Sequence, residues 1–172
     1  RVQSRPVDGS AREAVAIIHH PDLKRMLLTM KSTVEACRAM ALHTAGLNDI
    51  AHRHADAQVR AQAQAQFEFM VPLVKGYSTE QSIDMASLGV QVHGGMGFIE
   101  ETGAAQYYRD ARILTIYEGT TAIQANDLIG RKTARDGGAV AEQFAQHIDA
   151  TVAQLNASAH DALKALAQPL AQ

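Results

Sequence analysis

Between Pro21 and His52 the apolar positions fall at alternating four- and three-residue steps: Leu23, Leu27, Met30, Val34, Cys37, Ala41 and Thr44. That spacing lays one stripe along a helix and is the seam expected in a bundle. Pro21 and Asp22 suit a first helical turn, so the pattern predicts one long helix from Asp22 to about His52. A second helix is predicted from about Asp56 to Lys75, where alanine and glutamine favour helix and Phe67, Met70 and Val74 give it an apolar side. Pro72 should kink or divide it, because proline lacks an N–H and its ring meets the carbonyl four residues back.

A third helix is predicted from Thr79 to about His93, with Ser78 or Thr79 as its cap, Ile83, Ala86 and Val90 on one side, and Gly94, Gly95 and Gly97 at its end. Thr120 to Lys132 also reads as helical. A last helix from about Ala139 to Leu166 carries Val140, Phe144, Ile148, Val152 and Leu155, and Asp136-Gly137-Gly138 caps one element and starts the other. Strand-like alternation is nearly absent, there is no internal repeat, and Arg1–Ser10, with Pro6 and Gly9, suits an extended lead-in. The expected fold is all-α: a lead-in over 1–20, an antiparallel helical bundle over 21–136 and an additional C-terminal helix over 137–172.

Composition narrows the chemistry. The formal net charge of -2 comes without any run of lysine or arginine, which argues against nucleic acid as a partner. No apolar run approaches the roughly 20 residues of a membrane span, so a cytoplasmic protein is expected; the chain begins at Arg1 rather than methionine, leaving room for an upstream signal or domain. The single cysteine, Cys37, forms no internal disulfide and falls in the apolar stripe of the first helix. A di-metal bundle site needs glutamate followed three residues later by histidine, and no glutamate here has that neighbour. His19-His20 and the His52/His54 pair point to different sides of a helix, so no metal site is expected.

The helical rhythm breaks in QVHGGMGFIEETGAAQYYRDARILTIYEGTTAIQANDL, Gln91 to Leu128. Gly94-Gly95-Met96-Gly97 is no strand-and-helix dinucleotide fingerprint, since Glu100 stands where a third glycine belongs and no strand precedes it. The glycines suit either a tight helix-to-helix turn or the close approach of a ligand to main chain. Glu118, between Tyr117 and Gly119 and just before Thr120-Thr121, suits either a proton acceptor in a ligand junction or a carboxylate stabilising the next helix's N-terminus. The residues alone leave both pairs of roles open.

Continued through Lys132, this stretch resembles the C-terminal signature of the FAD-dependent acyl-CoA dehydrogenases. HHPDLKRMLLTMKSTVEACRAMAL and the RKTARDGGAV junction resemble the subgroup with an additional C-terminal segment, typified by the bacterial 3-methylmercaptopropionyl-CoA dehydrogenases. The resemblance implies that Glu118 of YEGT removes the α-proton of an acyl-CoA thioester while the β-hydride passes to flavin, giving a trans-2-enoyl-CoA. It implies that the N–H of Glu118 and a flavin ribityl hydroxyl bind the thioester oxygen, and that Tyr117 and Gly119 flank the thioester. It further implies that Gln91, Gly94 and Gly95 meet the adenine and diphosphate end of an FAD held mainly by a neighbouring subunit, with Thr120 beside the flavin. Arg1 falls where relatives place an arginine to the diphosphate, although Ser4-Arg5 departs from their pattern.

At the position where some relatives place a CoA-adenine arginine this chain has Gly130, leaving Arg131 as the candidate; Arg109, Asp110 and Arg112 are expected to form ion pairs. Electron-transfer flavoprotein is the implied acceptor, and a homodimer or homotetramer is expected. The family's N-terminal helical and middle β-domains lie outside this sequence, so the chain is expected to be inactive alone. The competing expectations are a non-catalytic helical assembly module and an acyl-CoA oxidase.

Overall fold

The computed structural model describes residues 1–171; Gln172, the last residue of the expected C-terminal segment, lies outside them. In chain order the helices are α1 Pro21–Arg53, α2 Ala57–His93, α3 Gly95–Phe98, α4 Ala104–Leu114, α5 Thr121–Asn126, α6 Ala139–Asn156, α7 Asp161–Lys164 and α8 Ala167–Leu170. The fold is all-α, and among the described residues the only β pairing is an isolated antiparallel bridge between Val2 and Ala16 in the lead-in. The chain divides into two compact units: one comprises Arg1–Gly46 and Leu73–Gln124, the other begins at Leu47–Pro72 and resumes at Ala125.

α1 runs as its pattern predicts, but its inward stripe is shifted. Met26 and Thr44 are buried and Leu23, Leu27, Met30, Thr33, Cys37 and Met40 are half-buried, whereas Val34 and Ala41 of the expected seam are exposed. The threonine at 44 is tolerated because its hydroxyl donates to the Met40 carbonyl at 2.8 Å. Residues 54–56 then turn the chain, with Asp56 Oδ1 accepting from the Gln58 N–H at 2.7 Å to cap α2.

The two helices expected over 56–75 and 79–93 are one. α2 passes through Pro72, and neither Ser78 nor Thr79 caps a helix start. Thr79 Oγ1 donates instead to the carbonyls of Lys75 and Gly76, at 2.7 and 3.3 Å, as threonine inside a helix does. Proline removes one intrahelical bond, and packing on both sides carries the helix past the loss, since Phe69, Met70, Pro72 and Gly76 are all buried in their respective units.

In the second unit the expected helix over Thr120–Lys132 widens after α5 into a π turn, Asp127–Thr133, in which Thr133 Oγ1 donates to the Leu128 carbonyl. Gly137 and Gly138 take left-handed φ values of 68° and 86°, and the Asp136 carboxylate accepts from the N–H groups of Gly138 and Val140 at 2.9 and 3.2 Å. The expected single helix to Leu166 stops at Asn156, where Ser158 Oγ accepts from the His160 N–H and a turn forms. The chain then folds back, α8 packs against α6, and Ala167 is buried to 3% exposure. Phe69 and Phe144 meet in the same unit with ring centroids 6.2 Å apart.

Two outcomes follow for stability. Removing the Asp136 cap (Asp136→Ala) should cost about 0.5–2 kcal/mol in guanidinium unfolding, and a change indistinguishable from zero would contradict the capping role. Glu68 accepts from the Gln64 side-chain amide and from Lys132, which together hold its carboxyl below the ordinary value of 4.5. A lowered folded-state pKa means stability that is present above that ordinary value and lost as pH falls through the folded one. Glu68→Gln should therefore lower the thermal midpoint at pH 7, by a small amount because the pair is half-exposed, match the wild type near pH 3, and so flatten the decline between about pH 5 and pH 3.

Candidate functional site

Two sites within the first unit collect the residues singled out in the sequence. α2 ends at His93 because Gly94 adopts φ 65° and ψ −147°, a conformation that side chains strongly disfavour. Its bare α-carbon is filled by Arg1: a Cβ at position 94 would lie 2.7 Å from Arg1 Nη2, and Arg1 Nη1 donates to the His93 carbonyl at 2.8 Å. Arg1, Ser4, His20, Asp22, Gln91 and Gly94 line a cavity of about 380 Å³. Ser4, which lines this cavity, takes a positive φ of 62°. Arg1, Gln91 and Gly94 are therefore neighbours, although 90 residues of chain separate Arg1 from Gln91. Gly95 opens α3 with no other group against its α-carbon, and it does not line the cavity.

The second site is the loop between α4 and α5. Gly103, left-handed at φ 74°, starts α4, which ends at Leu114. Thr115 is buried; its hydroxyl accepts from Arg112 Nη1 at 2.7 Å, and its carbonyl accepts from the Thr121 N–H at 3.4 Å, which closes the loop. Glu118 and Gly119 within it both have positive φ, 53° and 92°. For glutamate that conformation costs on the order of 1–3 kcal/mol, so the surroundings must enforce it. Tyr117, Glu118 and Thr120 are exposed. Among the described residues, no protein group accepts from the N–H of Glu118 or of Gly119. Thr120 caps α5, its Oγ1 accepting from the Ile123 N–H at 3.3 Å. Gln124 closes over Gly119, where an added Cβ would lie 2.6 Å from its Nε2.

The loop is gripped from α2 by residues that the sequence reading passed over. Lys75 Nζ donates to the carbonyls of Leu114 and Tyr117 at 2.6 and 3.2 Å and sits 5.1 Å from the Tyr117 ring centroid. Glu80 accepts from the Thr121 hydroxyl on the far side. Their only signal was a lysine and an acid on one helix, and dividing that helix near Lys75 hid it.

Arg131 belongs to the second unit, exposed on the π turn and 3.2 Å from Asp127; with Lys132 and Arg135 it borders a cavity of about 170 Å³. Of the charged residues expected to form ion pairs, only Arg109 has an acidic partner, Glu100 at 2.7 Å, which raises its pKa further. Asp110 accepts from Gln106, and Arg112 reaches Thr115 instead, because both face polar uncharged groups on their own segment. No cluster of metal-ligating side chains occurs among the described residues.

Residues 8–133 match the acyl-CoA dehydrogenase C-terminal domain. The chain is 60% identical over all 172 residues to a 3-methylmercaptopropionyl-CoA dehydrogenase of Ruegeria pomeroyi, of which it covers 29%. It is 31% identical over 99 residues to the caffeyl-CoA reductase-Etf complex subunit CarC of Acetobacterium woodii, covering 58% of this chain and 23% of that one. A solved structure titled Bd2924 apo-form superposes with a TM-score of 0.70 at 25% identity, over 93% of this chain and 33% of the other. The chain thus spans about a third or less of the proteins it matches. It belongs to the acyl-CoA dehydrogenase family and carries that family's C-terminal domain.

Proposed function

We propose that this chain is the C-terminal part of a cytoplasmic, FAD-dependent acyl-CoA dehydrogenase, in which Glu118 takes the α-proton of a bound acyl-CoA thioester. The observation that carries the reading is the loop itself: a glutamate forced to positive φ, its N–H without a protein acceptor, next to a glycine whose φ of 92° side chains disfavour. The α-carbon loses its proton to the Glu118 carboxylate, and the pair left behind forms the double bond as the β-hydrogen departs with its electrons. FAD, when bound, supplies the acceptor for that hydride. The Glu118 N–H meets the thioester oxygen as charge develops on it, and Tyr117 and Gly119 flank the thioester. Glu118 is exposed in these residues, so the water-free setting this step requires comes from the bound thioester and from protein beyond them.

The residues present fit the diphosphate end of FAD. Arg1 contributes a guanidinium, Gln91 an amide, and Gly94 an α-carbon whose missing Cβ makes room for that cation. Gly95 continues the turn, Thr120 stands beside the flavin, and Arg131 approaches the CoA adenine. The exposed Phe98 and Tyr107, at 82% and 75%, support burial in a homodimer or homotetramer. The Etf complex of the Acetobacterium woodii relative supports electron-transfer flavoprotein as the acceptor. The Ruegeria pomeroyi relative makes 3-methylmercaptopropionyl-CoA the first substrate to assay. The 172 residues alone hold the base without most of the flavin pocket, and we expect them to be inactive.

In the full-length enzyme Glu118→Gln should keep flavin and bind acyl-CoA, while flavin bleaching on substrate addition slows about 10²–10⁴-fold. Bleaching at the wild-type rate would overturn the assignment. Hydrogen peroxide formed in step with wild-type turnover would identify an oxidase, and a full-length protein without flavin chemistry an assembly module.

A further inference from the structure

The grip of Lys75 on the loop has a consequence for the reacting bond. Its ammonium donates to the Tyr117 carbonyl at 3.2 Å, and that carbonyl belongs to the same peptide group as the Glu118 N–H. The peptide unit is planar and trans, so fixing the oxygen fixes the direction of the N–H on its opposite side. A charged donor on the oxygen also polarises the amide and strengthens its N–H as a donor. We infer that Lys75 is a positioning residue for the reaction: it aims and polarises the Glu118 N–H toward the thioester oxygen and holds the strained backbone that presents the carboxylate. The inference rests on the dehydrogenase reading above.

Two further contacts and partial burial argue that the ammonium is placed for this peptide. Its 2.6 Å bond to Leu114 engages a terminal carbonyl of α4, where a cation is favoured. Its position 5.1 Å from the Tyr117 ring adds a cation–π attraction on the residue whose carbonyl it binds. Lys75 is half-buried, so these contacts are less screened than at an open surface. Glu80 fixes the other end of the loop through Thr121, which leaves the peptide between residues 117 and 118 as the part governed by Lys75.

The test uses the full-length flavoprotein with Lys75→Met. Flavin content should be retained, and flavin reduction at saturating acyl-CoA should slow about 10–100-fold, as expected for a displacement near 1 Å, with KM changed less than about threefold. A readout independent of turnover is the ionisation of bound 3-oxoacyl-CoA, followed by its enolate absorbance against pH. The pH of half-ionisation should rise by about one unit in Lys75→Met, a tenfold loss of enolate stabilisation. Lys75→Gln, a neutral donor, should shift it in the same direction, and Lys75→Arg should recover most of the wild-type value. If Lys75→Met does not fold, Lys75→Gln carries the test. An unchanged half-ionisation pH, or a slower rate only in proportion to lost flavin, overturns the inference. Glu118→Gln separates the two claims: if it still bleaches at the wild-type rate the dehydrogenase reading falls, and if it is inactive while Lys75→Met behaves as wild type only the role of Lys75 falls.

Discussion

A glutamate held at positive φ is the constraint around which the first unit is organised. Nothing intrinsic to Glu118 favours that conformation, so it must be imposed by closing a short loop between two helices and pinning both ends. Thr115 is buried at the start, Thr120 caps the following helix, and Gly119 accepts a φ of 92° with Gln124 laid against it. The result leaves one carboxylate exposed and the N–H of the same residue without a protein acceptor.

The continuity of α2 makes the pinning possible. Lys75, Gly76 and Glu80 lie within two turns of that helix: Lys75 bonds the loop's start, Gly76 packs beside Gln124, and Glu80 holds Thr121. A break after Pro72 would leave Lys75 on a fraying end, with no fixed direction for its ammonium. The same helix ends before Gly94, where the Arg1 cavity begins, so one element reaches both the loop and the cavity of this unit.

Much of this was legible from residue patterns. The extent of α1, the glycine stop after His93 and the Asp136-Gly137-Gly138 junction each rest on local chemistry, and each stands where it was expected. The failures have a common cause. Pro72 and the hydroxyls of Ser78 and Thr79 are local signals for breaking a helix, and burial of Phe69, Met70 and Gly76 outweighed them. The seam of α1 shifted toward Met26 and Met40 because burial follows the partner surface, which period alone does not specify. The end of α6 at Asn156 depended on Ala167 folding back to be buried, a contact between distant positions. For the candidate site, the YEGT and QVHGG elements were visible, and Arg1, Gln91 and Gly94 do share a cavity. Lys75 was not visible, because its role lies in carbonyls some 40 residues away and no motif records such a contact.

The account is tested most directly by a crystal structure of the full-length protein with a bound, unreactive acyl-CoA analogue. It predicts a Glu118 carboxylate oxygen about 3–3.5 Å from the α-carbon, with the Glu118 amide nitrogen about 2.7–3.1 Å from the thioester oxygen. A thioester bound with Glu118 turned to solvent and its oxygen held by other groups would contradict it.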